Sequence, residues 1–238
     1  MHFEEYDMMK SHDSDVEIRQ SIIDACREMS AQGINQGTSG NISVRTEDGI
    51  LLTPSGVPYD RMRPEDIVTM KWDGSWTASP GHVPSTEWRF HLDILKSKPE
   101  ANAVVHAHPI FCTIIAIMNR SIPAIHYMIA AAGGNDIPCA PYAQYGTEEL
   151  SRAALDALRY RRACLLAHHG LIAIGPNLRK ALWLAVEVEV LAKQYHGCLQ
   201  LGAAPLLPDE EIDSILRRWG QYGLRDSDGT QKTSAHSN

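Results

Sequence analysis

"ANAVVHAHP", residues 101–109, sets two histidines inside an otherwise apolar run. A short valine-rich run closed by proline reads as a buried strand. Successive side chains of a strand alternate between its faces. Val104, His106 and His108 therefore share one face, and Ala103, Val105 and Ala107 share the other. A lone histidine on such a face is an ordinary core residue with a satisfied ring. Two imidazoles aimed into one space are half of a metal site.

The segments around this strand set the fold class. "SDVEIRQSIIDACREMSAQG" (14–33) has helical apolar spacing, opens with the Ser14/Glu17 spacing of a capping box and stops at Gly33. "ISVR" (42–45) and "ILLT" (50–53) read as strands joined by a turn at Asp48-Gly49, and "IVTMKWDGSW" (67–76) as a hairpin with Asp73-Gly74 at its tip. A helix is expected to start near Ser85 and to end by Pro99. Further helices are read at 111–119, 147–162 and 177–202, with Thr147 and Asn177 as caps, and a short one at 209–223. "ACLLAHHGLIAIG" (163–175) reads as a buried strand pair turning at Gly170. Hairpins early and alternating helices later imply one α/β domain, with a mostly antiparallel central sheet between helices. That domain is expected over 14–225. It lies between a loosely held polar start (1–13) and a small polar tail (226–238).

Composition narrows the class. The chain has 238 residues, enough for one sizeable core, and a formal net charge of -7. An acidic chain with no long basic run offers nucleic acid no electrostatic footing. Its five cysteines form no C-x-x-C pair and fit a reducing compartment. The start of the chain lacks an apolar signal core, and no run is long enough to span a bilayer. A cytoplasmic location without membrane attachment is expected.

A catalytic zinc site commonly uses three protein ligands and keeps one open position. The third ligand is sought in "LLAHHGL" (165–171), where His168 and His169 point to opposite sides and only one can join His106 and His108. Glu87 falls in a first helical turn. There a carboxylate complements the helix dipole, or, beside a metal, serves as a general acid/base. Three loops, "GTSGN" (37–41), "TPSG" (53–56) and "PST" (84–86), each offer backbone N–H groups and short hydroxyls suited to a phosphate. They form a cradle only if they converge.

The stretches "NQGTSGNISVR", "LLTPSGVPYD", "PSTEWRFH", "ANAVVHAHP", "NRSIPAIHYMIAAAGGNDIPCAPYA", "LLAHHGLIA" and "KALWLAVEVEVLA" together resemble the class II aldolase/adducin family in order and spacing. The resemblance spans about residues 15–225. It implies a three-layer α/β/α domain. It implies Zn2+, or another divalent cation, on His106, His108 and His169, which selects the second of the paired histidines. It makes Glu87 the catalytic acid/base and Tyr127 a tyrosine reaching a neighbouring subunit's site. Asn41, Ser55, Gly56, Ser85 and Thr86 fall on phosphate-binding positions, and Tyr222 on a tyrosine that helps close the site. Tyr145 stands where the family's nearest branch carries phenylalanine on the aldehyde side. The implied reaction is reversible cleavage of a ketose 1-phosphate, of the L-fuculose 1-phosphate type, to dihydroxyacetone phosphate and an aldehyde, in a homotetramer with sites between subunits. Alternatives are cleavage of 5-deoxyribulose, 5-methylthioribulose or ribulose 1-phosphate, or epimerase or decarboxylase chemistry on a sugar phosphate. A non-catalytic adducin-like module is disfavoured, because all three histidines and Glu87 are present.

Overall fold

A computed structural model describes the backbone of residues 2–218 and side chains from residue 15 onward. Helix α1 (His2–Ala31) is continuous through Ser14, so the Ser14/Glu17 spacing does not mark its start. Strands β1 (Asn41–Arg45), β2 (Gly49–Leu52), β3 (Val68–Lys71) and β4 (Trp76–Thr77) follow as the expected hairpins. Helix α2 (Trp88–Ser97) leads to β5 (Ala103–Ala107), the strand of the paired histidines. Next come α3 (Ile110–Ile117), the short strands β6 (Ile122–Pro123), β7 (Asp136–Ile137) and β8 (Cys139–Ala140), and α4 (Glu148–Ala157). Strands β9 (Ala163–Leu166) and β10 (Gly170–Gly175) then precede the long α5 (Leu178–Gln200) and α6 (Asp209–Arg218). Among the described residues, no helix is long and apolar enough to cross a membrane.

Eight strands form one sheet in the order β4-β3-β2-β1-β5-β10-β9-β8, antiparallel except for the β8–β9 pair. The strand alternation read from the sequence is the alternation of the layers. Ala103, Val105 and Ala107 lie in the larger apolar cluster with residues of α1, α3 and α5. Val104 lies in the cluster on the opposite face, with Phe90, Leu92 and Leu95 of α2 and Leu150 and Ala154 of α4. His106 meets the edge of Phe90 on that second face. Helices cover both faces, giving the α/β/α architecture.

Three local devices hold the histidine strand in place. Asn177 caps α5 by accepting from the Lys180 N–H at 2.9 Å, and Thr147 caps α4 from Leu150 at 3.2 Å, as read from the sequence. Helix α3 follows His108 and Pro109 directly and has no cap of its own. The Glu189 carboxylate of α5 supplies one, accepting from the Phe111 and Cys112 N–H groups at 2.9 and 2.8 Å. Arg45, at the end of β1, donates to the carbonyls of Leu95, Lys98 and Ala101, tying off the end of α2 just before β5.

The β9–β10 connection differs from expectation. The turn falls at Ala167–His169, with His168 in the left-handed region at φ 56°, and Gly170 is already paired with Leu166. Gly170 is needed for proximity instead. A Cβ there would lie 2.4 Å from the Ala107 carbonyl oxygen and 2.8 Å from the His108 ring. Gly170→Ala is expected to push β10 off β5 and destabilise the fold by roughly 1–3 kcal/mol, as overpacking does. Urea unfolding measures this; an unchanged midpoint would show that the close approach is not required.

Candidate metal centre

His106 is the last residue but one of β5, His108 follows the strand, and His169 comes from the β9–β10 turn. Their ring centroids are mutually 4.8 Å apart, and the Nε2 atoms of His106 and His108 are 2.9 Å apart. Glu87 joins them, with Oε2 3.2 Å from His106 Nε2 and Oε1 3.2 Å from His169 Nε2. One ligand atom from each of the four side chains lies within 4.8 Å of the others. His106 Nδ1 is 2.8 Å from the Leu171 carbonyl, which can only accept, so Nδ1 carries the hydrogen and the Nε2 lone pair faces the cluster. Glu87 Oε1 is buried with no hydrogen-bond donor. Ring nitrogens this close, beside a buried orphan carboxylate oxygen, are a donor set that a divalent cation satisfies.

His168, the left-handed residue of the turn, lines the cleft but stays out of the cluster. Its Nε2 is 3.2 Å from Asn119 Nδ2, and its ring stands edge-on to Tyr142 at 6.0 Å.

Burial shapes the charges. Burial alone would raise the Glu87 carboxyl, but the positive charge that His106 and His169 can carry beside it outweighs burial and holds Glu87 well below the usual carboxylate range. Burial, then the charges of His106 and His169, push His108 down to about 3 against the opposing pull of Glu87. Burial and the charge of His106 likewise push His91 down to about 3. Neutral imidazole is the ligating form.

A cleft of about 310 Å³ opens over the cluster, lined by Thr86, Glu87, His108 and His169 together with Tyr142, Tyr145 and His168. The loop carrying the tyrosines sits directly on Thr86. Gly146 lies at φ 76°, and a Cβ there would meet the Thr86 carbonyl at 2.8 Å. The three hydroxyl-rich loops do converge. Thr53 and Ile42 are joined by hydrogen bonds of 3.1 and 3.2 Å, Ser55 N–H donates to the Val83 carbonyl, and Ser85 N–H donates to the Thr53 carbonyl. Gly56 continues the Ser55 turn at φ 71°.

Glu87 occupies the position before the first residue of α2, not its first turn, and its carboxylate caps nothing. It is spent on the histidines and on Asn41, whose Nδ2 donates to Glu87 Oε2 at 3.0 Å and to the Ser39 carbonyl at 3.4 Å. Asn41 also sits opposite His106 in the β1–β5 ladder. Tyr127 opens a 3₁₀ turn, packs on His126 and does not line this chain's cleft. Tyr222 lies outside the described residues. Sequence reading missed Tyr142 and His168 as cleft residues, and also His91. The "WRFH" stretch carried His91 as the only sign, one histidine on an apolar helix face.

With the geometry in view, comparison with known proteins decides the family. The family model described as Class II Aldolase and Adducin N-terminal domain matches residues 20–196. This chain belongs to the class II aldolase/adducin family. It is 56% identical over 209 residues to the L-fuculose phosphate aldolase of Escherichia coli strain K12, covering 87% of this chain and 96% of that one. It is 50% identical over 210 residues to the 5-methylthioribulose-1-phosphate/5-deoxyribulose-1-phosphate aldolase of Rhodospirillum rubrum, covering 88% and 94%. A solved structure described as L-fuculose 1-phosphate aldolase superposes with a TM-score of 0.83 at 35% identity, over 86% of this chain and 96% of that one. Three members of the metal-capable cluster, Glu87, His108 and His169, thus line the cleft of a class II aldolase domain.

Two outcomes test this centre. His169→Ala is expected to abolish stoichiometric metal, whereas His168→Ala keeps it; elemental analysis showing the reverse would reassign the third ligand. For the metal-free protein, His91 and His108 stay neutral when folded but take protons near pH 6.5 when unfolded. The unfolded state then binds more protons, so stability is full above about pH 6.5 and is lost as pH falls toward about 3. Denaturant midpoints should drop between pH 7 and 5, before most carboxylates titrate. A flat profile across that window would contradict the burial argument.

Proposed function

We propose that this chain is a zinc-dependent class II aldolase, a lyase that cleaves a ketose 1-phosphate of the L-fuculose 1-phosphate type. The products are dihydroxyacetone phosphate and an aldehyde. The carrying observation is the convergence of three imidazoles and Glu87 at one end of a cleft, in a chain this similar to L-fuculose phosphate aldolases. His106, His108 and His169 would hold the metal. Bound there, Zn2+ supplies Lewis acidity to the ketose carbonyl.

The rest is work for the chain's own residues. Ser55, Gly56, Ser85 and Thr86 bind the phosphate with loop N–H groups and hydroxyls, and Asn41 forms the inner edge of that cradle. Glu87 carries the proton at C3, taking it in the synthetic direction and returning it in cleavage. In cleavage the C4 hydroxyl gives its proton to the phenolate of Tyr127 of a neighbouring copy, the C3–C4 bond breaks with its electron pair left on C3, and C4 departs as the aldehyde. C3 takes its proton from the protonated Glu87, and proton exchange with solvent returns Tyr127 and Glu87 to their starting forms. Tyr222 closes the site in a homotetramer, and the enzyme works in the cytoplasm. Tyr145 lines the cleft where the departing aldehyde is expected, so its hydroxyl bears on which aldehyde fits.

A second reading stays within the same chemistry. The 50% identity to a 5-methylthioribulose-1-phosphate/5-deoxyribulose-1-phosphate aldolase favours those ketoses as the alternative substrates. A coupled assay for dihydroxyacetone phosphate release, with and without chelator, ranks L-fuculose, ribulose, 5-deoxyribulose and 5-methylthioribulose 1-phosphates. Chelator-sensitive release with the fuculose ester first is expected. Release from none of them by metal-loaded protein would move the reading to epimerase or decarboxylase chemistry. Glu87→Gln is expected to keep metal and lose about 10²–10⁴ in turnover; a variant as fast as wild type would remove Glu87 from the reaction.

A further inference from the structure

A chain of buried polar groups runs from the central sheet to Glu87. Ser43 Oγ is 2.8 Å from His91 Nδ1, His91 Nε2 is 2.5 Å from Asn41 Oδ1, and Asn41 Nδ2 is 3.0 Å from Glu87 Oε2. Ser43 and Asn41 lie on the same face of β1, two residues apart. His91 reaches them from α2, and both Ser43 and His91 are fully buried. No solvent completes any of these bonds, so the groups must satisfy one another.

The directions of the bonds follow from what each atom can do. Asn41 Nδ2 is a donor, and its two hydrogens have acceptors in Glu87 Oε2 and the Ser39 carbonyl. Asn41 Oδ1 can then only accept, so His91 Nε2 carries a hydrogen. His91 is neutral in this arrangement, its Nδ1 is the acceptor, and the Ser43 hydroxyl donates to it. Every hydrogen in the chain points toward Glu87. The result at the carboxylate is asymmetric. Oε2 is held by Asn41, while Oε1, beside His169, receives no hydrogen bond.

We propose that His91 is a positioning residue, which locks the Asn41 amide so that Glu87 Oε2 is pinned and Oε1 is the oxygen left to exchange the substrate proton. This rests on the reading of Glu87 as the proton-transfer carboxylate. Without a donor at position 91, Asn41 Oδ1 is buried and unpaired, a costly state that the amide relieves by turning away from Glu87. Partners one step removed from a reacting group commonly matter by about 10–100-fold. The His91 ring does not line the cleft, and its hydrogen bonds go to Ser43 and Asn41, so its bonded route to Glu87 runs through Asn41.

The test compares metal-loaded wild type, His91→Phe and His91→Gln. A glutamine amide can place an N–H where His91 Nε2 stands; phenylalanine cannot. Expected for His91→Phe is a kcat about 10- to 100-fold lower with bound metal unchanged, and for His91→Gln a kcat within about fivefold of wild type. Crystal structures of the three provide a readout independent of activity, with Asn41 turned off Glu87 Oε2 in His91→Phe and restored in His91→Gln. Two results overturn the proposal: Asn41 still bonded to Glu87 in His91→Phe, or kcat unchanged there with Asn41 displaced. A wild-type enzyme that cleaves no ketose 1-phosphate refutes the proposed function instead, and the crystal structures alone then judge the positioning. If His91→Phe does not fold, Ser43→Ala substitutes for it. A severalfold fall in kcat with full metal content supports the chain, and an unchanged kcat overturns it.

Discussion

Three imidazole nitrogens and a carboxylate share a few ångströms at the end of β5, and the fold around them is arranged to make that crowding tolerable. Without a cation, ring nitrogens 2.9 Å apart can share at most one hydrogen, and a buried carboxylate oxygen without a donor is a desolvation cost. A cation resolves both at once. The surrounding structure therefore has to deliver the four side chains with little freedom. It does so through backbone. The Leu171 carbonyl fixes the His106 ring, and the Gly170 contact brings the His169 turn against the end of β5. Glu189 anchors the helix that leaves His108.

Sheet register is the reason these elements meet. Asn41 and Ile172 flank His106 on its two neighbouring strands, so the centre of the sheet is also the floor of the site. Strands β2, β3 and β4 carry no site residue. Their contribution is the loop after β2, which lies against the 83–87 segment and brings Ser55 near Ser85. Layer packing and site assembly are thus one event: displacing α2 from the sheet would move Glu87, His91 and Thr86 together.

Much of this was legible in residues 101–109 and 163–175. Strand alternation alone separated Val104 and His106 from Val105, and that division is the division between the two apolar clusters. The divergence of His168 and His169 has another cause than the alternation that suggested it, because both lie in the turn and His168 takes a left-handed backbone. What stayed hidden depended on distance across the fold. Gly170 looked like a turn residue because glycine usually marks turns, yet here it serves the approach of a neighbouring strand. Glu87 looked like a dipole partner because nothing local shows that its carboxylate faces two histidines 19 and 82 residues further along the chain. The start of α1 was misread because a capping-box spacing also occurs inside helices.

The polar chain behind Glu87 bears on why the core is built as it is. Apolar residues of similar volume at Ser43 and His91 would fill the same space with no hydrogen bonds to satisfy and no buried histidine to keep neutral. A fully paired polar network is at best comparable to that packing in stability, and a half-paired one is worse. Stability is therefore a weak reason for its presence. Its directional order is the stronger reason, because every hydrogen points one way and the chain ends on a single oxygen of a single carboxylate. Apolar packing can hold a carboxylate in place but cannot distinguish its two oxygens. A donor chain can, and a proton carried at one carbon requires the carboxylate to present the same oxygen each time.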